Sequence, residues 1–369
     1  MSSLLDVAIK EKYTIMKIND PLVFVKNAID WSVFSKILKG MYHNDTERGG
    51  ASNIPIITMV KVLYLQSAYN MVDEQAETMI RDRISFMNFL DYPDRLPDAR
   101  TIWIFRERLS KTGKDRAIWN ELNRQLREKR IIINNGSLND IKVRIEAQDS
   151  MIITADPGKH GKKKPPVSLD PHPPADTKNT GKEQKEKKMT REEKRHAKIM
   201  AAEKKRIMRE ERRYSETRRS KDGTHTKKGS KGFFGYKGHT GVDEDVYIDN
   251  YIVTTASVHD ASVNLSVPGK TNFRDKGYFG SPCNGRDGTM DRAVRGSKLS
   301  IDQVRRNKRI SRKRSMVEHP YAVIRRAFHF SHVLVTMVRR VRVKFMFACM
   351  GYNIYRLRSQ MTAAAMEVA

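Results

Sequence analysis

The chain has 369 residues, enough for two domains or for one large domain with a smaller one attached. Its 71 Lys and Arg against 43 Asp and Glu give a formal net charge of +28, and 38% hydrophobic residues suffice to bury a core. Such a surplus costs self-repulsion in the folded state and points to a polyanionic partner, nucleic acid before an anionic membrane surface. The two cysteines, Cys283 and Cys349, lie far apart and outside any CxxC pair. That spacing excludes a zinc ribbon, argues against a disulfide framework and fits a reducing cytoplasm.

Residues 1–17 lack the continuous apolar core and small-residue cleavage site of a signal peptide. Residues 20–133 read as helical. Ile56, Met59, Val60, Val62, Leu63 and Leu65 recur at helical spacing, and a second helix is expected over 73–86. Pro93 and Pro97 mark a turn, after which Asp98 or Thr101 can cap a helix over 102–109 carrying Trp103 and Phe105. An amphipathic helix over 119–130 leads into Ile131, Ile132 and Ile133, and Asn134-Asn135-Gly136 makes a turn.

Beyond Gly136 the texture becomes β-branched. Strands are expected over 143–154, 233–239 and 246–255, with Asp243-Glu244-Asp245 as a turn and a fourth short strand ending near Phe273. Between the first two strands lies a segment, 159–221, with 22 basic and 10 acidic residues. Its proline-rich opening reads as disordered, and residues 190–214 read as a solvated helix with capping-box spacing at Thr190 and Glu193. It is either a charged linker or a phosphate-binding arm. Helices return over 317–328 and 341–358. The apolar stretch 345–355 is too short to span a bilayer and reads as a buried core helix.

Cutting a phosphodiester needs an activated water and a stabilised leaving oxygen. Two Mg²⁺ ions about 4 Å apart can supply both, and such ions prefer carboxylate oxygens. Asp149 lies inside an otherwise apolar strand, where a lone carboxylate is costly unless it binds something. Asp275 follows a strand and precedes a loop with Gly277 and Gly280. Glu318 opens an amphipathic helix that also carries Arg325 and Arg326. Asp156, seven residues after Asp149, is the alternative first aspartate. Taken singly, each of these is more often a solvated surface charge than a metal ligand.

At these residues the sequence resembles transposases of the IS5 group of insertion sequences, within the DDE transposase superfamily. The resemblance runs through QDSMIITADPG (148–158), TRRSKDG (217–223), KKGSKGFFGYKGHTGVDED (227–245), TTASVHDASVNLS (254–266), FRDKGYFG (273–280), RNKRISRKRSMVEHPYAVIRR (306–326) and HVLVTMVRRVRVK (332–344). FLDYPDRLPDARTIWIFRERL (89–109) looks like that family's helical N-terminal domain, so nearly the whole chain is covered.

The resemblance implies an α/β (α+β) fold, with an RNase H-like mixed-sheet catalytic core, an all-helical N-terminal domain and a basic, partly disordered insertion. The expected division is 1–136 for helical DNA binding, 137–358 for the catalytic domain with the insertion 159–221, and 359–369 for a tail. It further implies Asp149, Asp275 and Glu318 as catalytic ligands of Mg²⁺ or Mn²⁺, two ions in all. In the family's C-terminal signature, Arg314 and Arg325 are the basic residues four before and seven after the Glu. Ser311 replaces the signature's usual Tyr, and Arg325 stands where Lys is common. Lys237 and His239, at i, i+2 on a strand, share one face and are further DNA-contact candidates. Asp260 lies in the loop after the third strand.

The implied reaction is cleavage at terminal inverted repeats and strand transfer to target DNA, by at least a homodimer when two ends are held together. The site of action would be the cytoplasm, at the nucleoid, without a membrane partner. The rival readings are an RNase H-like nuclease that cuts without joining, and an inactive transposase kept as a nucleic-acid-binding protein.

Overall fold

The computed structural model describes residues 4–15, 20–42, 52–133, 145–157, 220, 222–294 and 296–368. The segment 159–219, with its expected disorder and helix, and the turn at 134–136 lie outside the described residues.

The chain begins with helices α1 (Leu4–Ile15), α2 (Pro21–Ala28), α3 (Val33–Ile37), α4 (Ile56–Ala68), α5 (Asp73–Asp82), α6 (Ile84–Phe89), α7 (Ala99–Thr112) and α8 (Asp115–Ile133). Their ends follow local chemistry. Asp20 accepts from the Leu22 amide (2.9 Å) with Pro21 at the first helical position. Of the two capping candidates for α7, Asp98 caps the helix, accepting from the Thr101 amide (2.6 Å), and Gly113 ends it in the left-handed region (φ 68°). The helix expected over 73–86 is two helices. Arg83 breaks it with an extended backbone (φ −91°, ψ 115°) and lays its guanidinium over the Tyr69 and Phe86 rings.

The sheet comprises β1 (Ile145–Ala155), β2 (Thr224–Lys228), β3 (Lys231–Asp243), β4 (Ile248–Thr255), β5 (Thr271–Arg274), β6 (Arg286–Thr289) and β7 (His332–Val333). Its order along the main run is β4-β3-β1-β5-β6. β4, β3 and β1 are antiparallel neighbours, whereas β1, β5 and β6 run parallel. This mixed sheet, preceded by helices, is RNase H-like, as expected. β2 shares with β4 the outer edge of the long β3. On its other edge β1 pairs with β5 up to Gln148 and with β7 from Thr154. Among the described residues, therefore, no strand lies beside 149–153 on that side.

Three helices complete the chain: α9 (Ile301–Arg314), α10 (Glu318–Arg326) and α11 (Val338–Val368). α9 opens with a Ser300–Gln303 capping box. A single 3-10 turn, Ser315–Val317, separates it from α10. α11 is buried on all sides from Val341 to Ile354, the pattern of a core helix rather than a surface one. It packs against α4, α7 and α8 on one side and against β4 and α10 on the other. The helical region and the sheet thus share one apolar core, and residues 359–368 continue α11. Among the described residues no helix is long and apolar enough to cross a membrane.

Paired charges pin α11 to the N-terminal helices. Arg342, nearly sealed, binds both oxygens of Asp115 at 2.7 and 3.1 Å. Arg339 and Arg340 both bind Glu107 on α7. Breaking a buried pair strands the remaining charge. Asp115→Ala should therefore cost about 3–5 kcal/mol in a urea melt; a loss below about 1 kcal/mol would show that water reaches Arg342.

One buried acid has no such partner. Among the described residues, both carboxyl oxygens of Glu146, on β1, lack a hydrogen-bond partner, and the cation paired with it, Lys270 Nζ, is 3.9 Å away. Burial drives its pKa from 4.5 up to about 8, with Lys270 opposing. The unfolded chain thus releases this proton at lower pH than the folded one. The stabilisation is complete below pH 4.5 and is lost as pH rises toward 8, at no more than about 1.4 kcal/mol per pH unit. Glu146→Gln should remove that part of the slope in urea melts between those limits, and an unchanged slope would place a counter-charge at Glu146.

Candidate active site

The open stretch of β1 carries Asp149, flanked by Ala147, Met151 and Ile153 on the same face of the sheet. Asp149 pairs across the ladder with Thr240 of β3. Thr240 Oγ1 donates to the Tyr321 hydroxyl (2.8 Å), which in turn donates to the Asp149 backbone carbonyl (2.7 Å). Tyr321 sits one turn after Glu318, so this hydroxyl fixes the start of α10 against the centre of β1.

Arg314, the last residue of α9, joins two of the candidate carboxylates. One guanidinium nitrogen lies 2.8 Å from Asp149 Oδ2 and another 3.1 Å from Glu318 Oε1. The 3-10 turn between α9 and α10 makes this possible, since it holds Arg314 and Glu318 four residues apart at a helix junction. Asp149 and Arg314 are largely covered, while Glu318 is mostly exposed.

Asp275 arrives from β5. The last paired residues of β1 and β5 are Gln148 and Arg274, so Asp149 and Asp275 stand next on adjacent parallel strands. Arg274 locks this strand end. Its guanidinium is fully buried and bonded to Thr289 Oγ1 (2.8 Å), Pro282 O (2.9 Å), Ser281 O (3.2 Å) and Asp287 Oδ1 (3.2 Å). One Asp275 oxygen accepts from the Gly277 amide (2.7 Å), leaving the other without a hydrogen bond among the described residues. A Cβ on Gly277 would come within 2.8 Å of that accepting oxygen, so a larger residue there would push the Asp275 carboxylate aside.

The electrostatics agree with this crowding. Burial raises the pKa of Asp149; the Ser150 amide and Arg314 oppose the shift, and the carboxylates of Asp275 and Asp260 add to it. Negative charge thus accumulates on a desolvated group, and a cation is what such a place favours. The guanidinium of Arg314 now supplies that charge. Among the described residues no group of three His, Cys, Asp or Glu stands close enough to hold a metal ion. Hard carboxylate oxygens from three separate elements are nonetheless the donor type that Mg²⁺ and Mn²⁺ prefer.

The other candidates fall elsewhere. Lys237 and His239 do share a face, but it is the one opposite Asp149: His239 pairs with Ser150, one residue along β1. His239 is fully buried, with Nε2 on Thr254 Oγ1 (2.9 Å), and burial lowers its pKa to about 4. Lys237 Nζ is taken up by Val258 O (2.8 Å) and Asp260 Oδ1 (3.0 Å), and Ser150 Oγ completes the Asp260 contacts at 3.0 Å. Neither side chain offers a free cation to DNA. Arg325 does: it is exposed on α10, about two turns beyond Glu318 on the same face. Asp156 lies seven residues along from Asp149, or about 23 Å on an extended chain, and so is far from Asp275. Sequence reasoning did not single out Tyr321 or Arg274, although Tyr321 was visible at helical spacing from Glu318.

Asp149→Asn removes a carboxylate that folding desolvates. The variant should therefore melt no lower than the wild type in metal-free buffer. A melting temperature more than about 4 °C lower, roughly 3 kcal/mol for a chain of 369 residues, would mean that the Arg314 pair outweighs the burial cost.

Comparison with known families places this geometry in context. Residues 11–108 match the transposase domain DUF772, and residues 197–354 match the transposase DDE domain. No solved structure matches the chain. The second match spans β2 to β7 and most of α11, including Asp275, Arg314 and Glu318. Two transposase-domain matches in this order, over helices and then an RNase H-like sheet, support a DDE transposase of an insertion sequence.

Proposed function

We propose that the protein is an IS5-group transposase that cuts DNA at its element's terminal inverted repeats and joins the freed ends to target DNA. The observation that carries this reading is the meeting of Asp149, Glu318 and Arg314 at the open edge of β1, with Asp275 level on the adjacent strand. Asp149, Asp275 and Glu318 would hold Mg²⁺ or Mn²⁺. Divalent ions bound there supply an activated oxygen nucleophile and stabilise the leaving oxygen.

The chain's own residues do the rest. The gap between β5 and β7 lets a backbone phosphate approach the Asp149 face. Tyr321 holds α10, and so Glu318, in register with that face. Arg314 balances the carboxylates in the free protein and is positioned to pass to a phosphate oxygen when DNA enters. Arg325 extends the basic track along α10. Hydrolysis frees a 3′-hydroxyl, which then attacks a target phosphodiester directly, so no covalent protein–DNA link is required. Residues 1–136 are assigned to reading the terminal repeats, and holding two ends together calls for a homodimer. The strong positive charge, to which the 22 basic and 10 acidic residues of 159–221 contribute a net +12, supplies non-specific affinity for the DNA backbone.

Labelled DNA carrying the element's ends tests this, with Mg²⁺ or Mn²⁺ and with the wild type beside Asp149→Asn, Asp275→Asn and Glu318→Gln. Cutting and joining by the wild type, with at least a thousandfold loss in each variant that still binds DNA, is the expected result. Cutting without joining would make the protein a nuclease, and binding without cutting a non-catalytic DNA-binding protein. A second readout is independent of turnover: 10 mM Mn²⁺ should raise the melting temperature of the wild type, and of none of the three variants, by linkage.

A further inference from the structure

On the side of the molecule formed by α4, α5, α7, residues 334–336 and the first turns of α11 lies a pocket of about 220 Å³. Trp103, Arg106, Leu334, Arg340, Lys344 and Asp73 line it, among others. None of these residues belongs to the carboxylate site.

Two features of this pocket are unexplained by the fold. Lys344 is 8% exposed, yet its ammonium has no hydrogen bond or ion pair among the described residues. Burial, with Arg106 adding to it, lowers the Lys344 pKa to about 8, while Asp73 opposes. Asp73 does not satisfy the ammonium, because its two oxygens are held by Arg106 at 2.6 and 2.7 Å. A desolvated cation without a partner is costly, and an anion entering the pocket would remove that cost.

The second feature is Trp103, which is 44% exposed, whereas Trp31 and Trp119 are buried. The Arg340 guanidinium lies 5.6 Å from its ring centroid and is held there by Glu107 (2.6 Å). A bare phosphate would meet Lys344 and leave this ring in water. An acidic peptide side chain would do the same. A nucleotide uses both, since every base has a flat face that stacks on an aromatic ring. At about 220 Å³ the pocket is smaller than the roughly 300–1,000 Å³ of clefts that enclose a whole ligand, so a nucleotide seated there keeps part of its surface in solvent.

We propose that this pocket binds one nucleotide, with its phosphate on Lys344 and its base against Trp103. The site does not depend on chemistry at Asp149, so it stands or falls separately from the cutting activity. The nucleotide comes either from an unpaired position in bound DNA or from free solution.

Trp103 is its own reporter. Full-length protein in EDTA is titrated with deoxyadenosine monophosphate, deoxyadenosine, inorganic phosphate, and a DNA duplex with or without one unpaired base, following tryptophan fluorescence and heat. The monophosphate should bind at least tenfold tighter than the nucleoside or phosphate, and Lys344→Met and Trp103→Ala should each weaken it at least tenfold. Lys344→Met should also melt higher than the wild type, since it removes a buried charge; should it misfold, the exposed Trp103→Ala carries the test. If only the duplex with an unpaired base responds, and both substitutions abolish its advantage over the plain duplex, DNA is the source of the nucleotide. Phosphate binding as tightly as the monophosphate, indifference to Trp103→Ala, or no response to either the monophosphate or the unpaired base would overturn the proposal.

Discussion

A carboxylate at the centre of a central strand sets the terms for much of this fold. Asp149 sits among apolar neighbours, beside a second carboxylate on the next strand, and burial makes its charge expensive. Positive charge must come close, and the chain brings it on a helix from nearly the other end of the sequence, as Arg314. Because Arg314 and Glu318 straddle a single 3-10 turn, bringing the arginine also brings the third carboxylate. Tyr321, one turn further, ties the same helix to the carbonyl of Asp149 itself. The sheet edge opens at this point because β5 stops before it and β7 starts after it.

The two regions of the chain are joined more closely than a linker would join them. α11 carries Phe345, Met346 and Phe347 into one apolar core shared by the helices and the sheet. Arg339, Arg340 and Arg342 on the same helix are matched by Glu107 and Asp115 from α7 and α8. At the other end of α8, Arg130 reaches Asp243 (2.8 Å) and Asp245, with its guanidinium over the Tyr247 ring. Ion pairs of this kind contribute little net energy when intact, but they penalise every arrangement that leaves one partner buried alone. They fix where the helical region sits relative to the strand bearing Asp149.

Sequence made some of this legible. A carboxylate inside an apolar strand, an aspartate before a glycine loop and a glutamate opening an amphipathic helix each showed in the residues, and the family resemblance supplied their common purpose. The long strands were also visible, because a half-buried strand writes its alternation into the sequence. β2, β6 and β7 were not. Their sequences, THTKK, RDGT and HV, carry little apolar pattern, since backbone pairing with a neighbouring strand holds them in place. α9 has just one buried residue, Ile310, and so offered little helical stripe to read. The placement of His239 depends on register. That it shares a face with Lys237 follows from spacing alone, but that it stands opposite Ser150 and not Asp149 is decided by the pairing of β1 with β3.

The sharing of α11 also bears on how such a gene decays. A copy that has lost its last sixty or so codons still encodes every helix up to α8 and both aspartates, but not the helix on which α4, α7, α8 and β4 pack. Its product would present the uncovered faces of α4, α7 and β4 to water and would be cleared or precipitate rather than persist as a smaller protein. A shortened copy of this chain is therefore a poor source of a stable fragment, and any shortened product that does accumulate must first borrow a substitute for α11 from another chain.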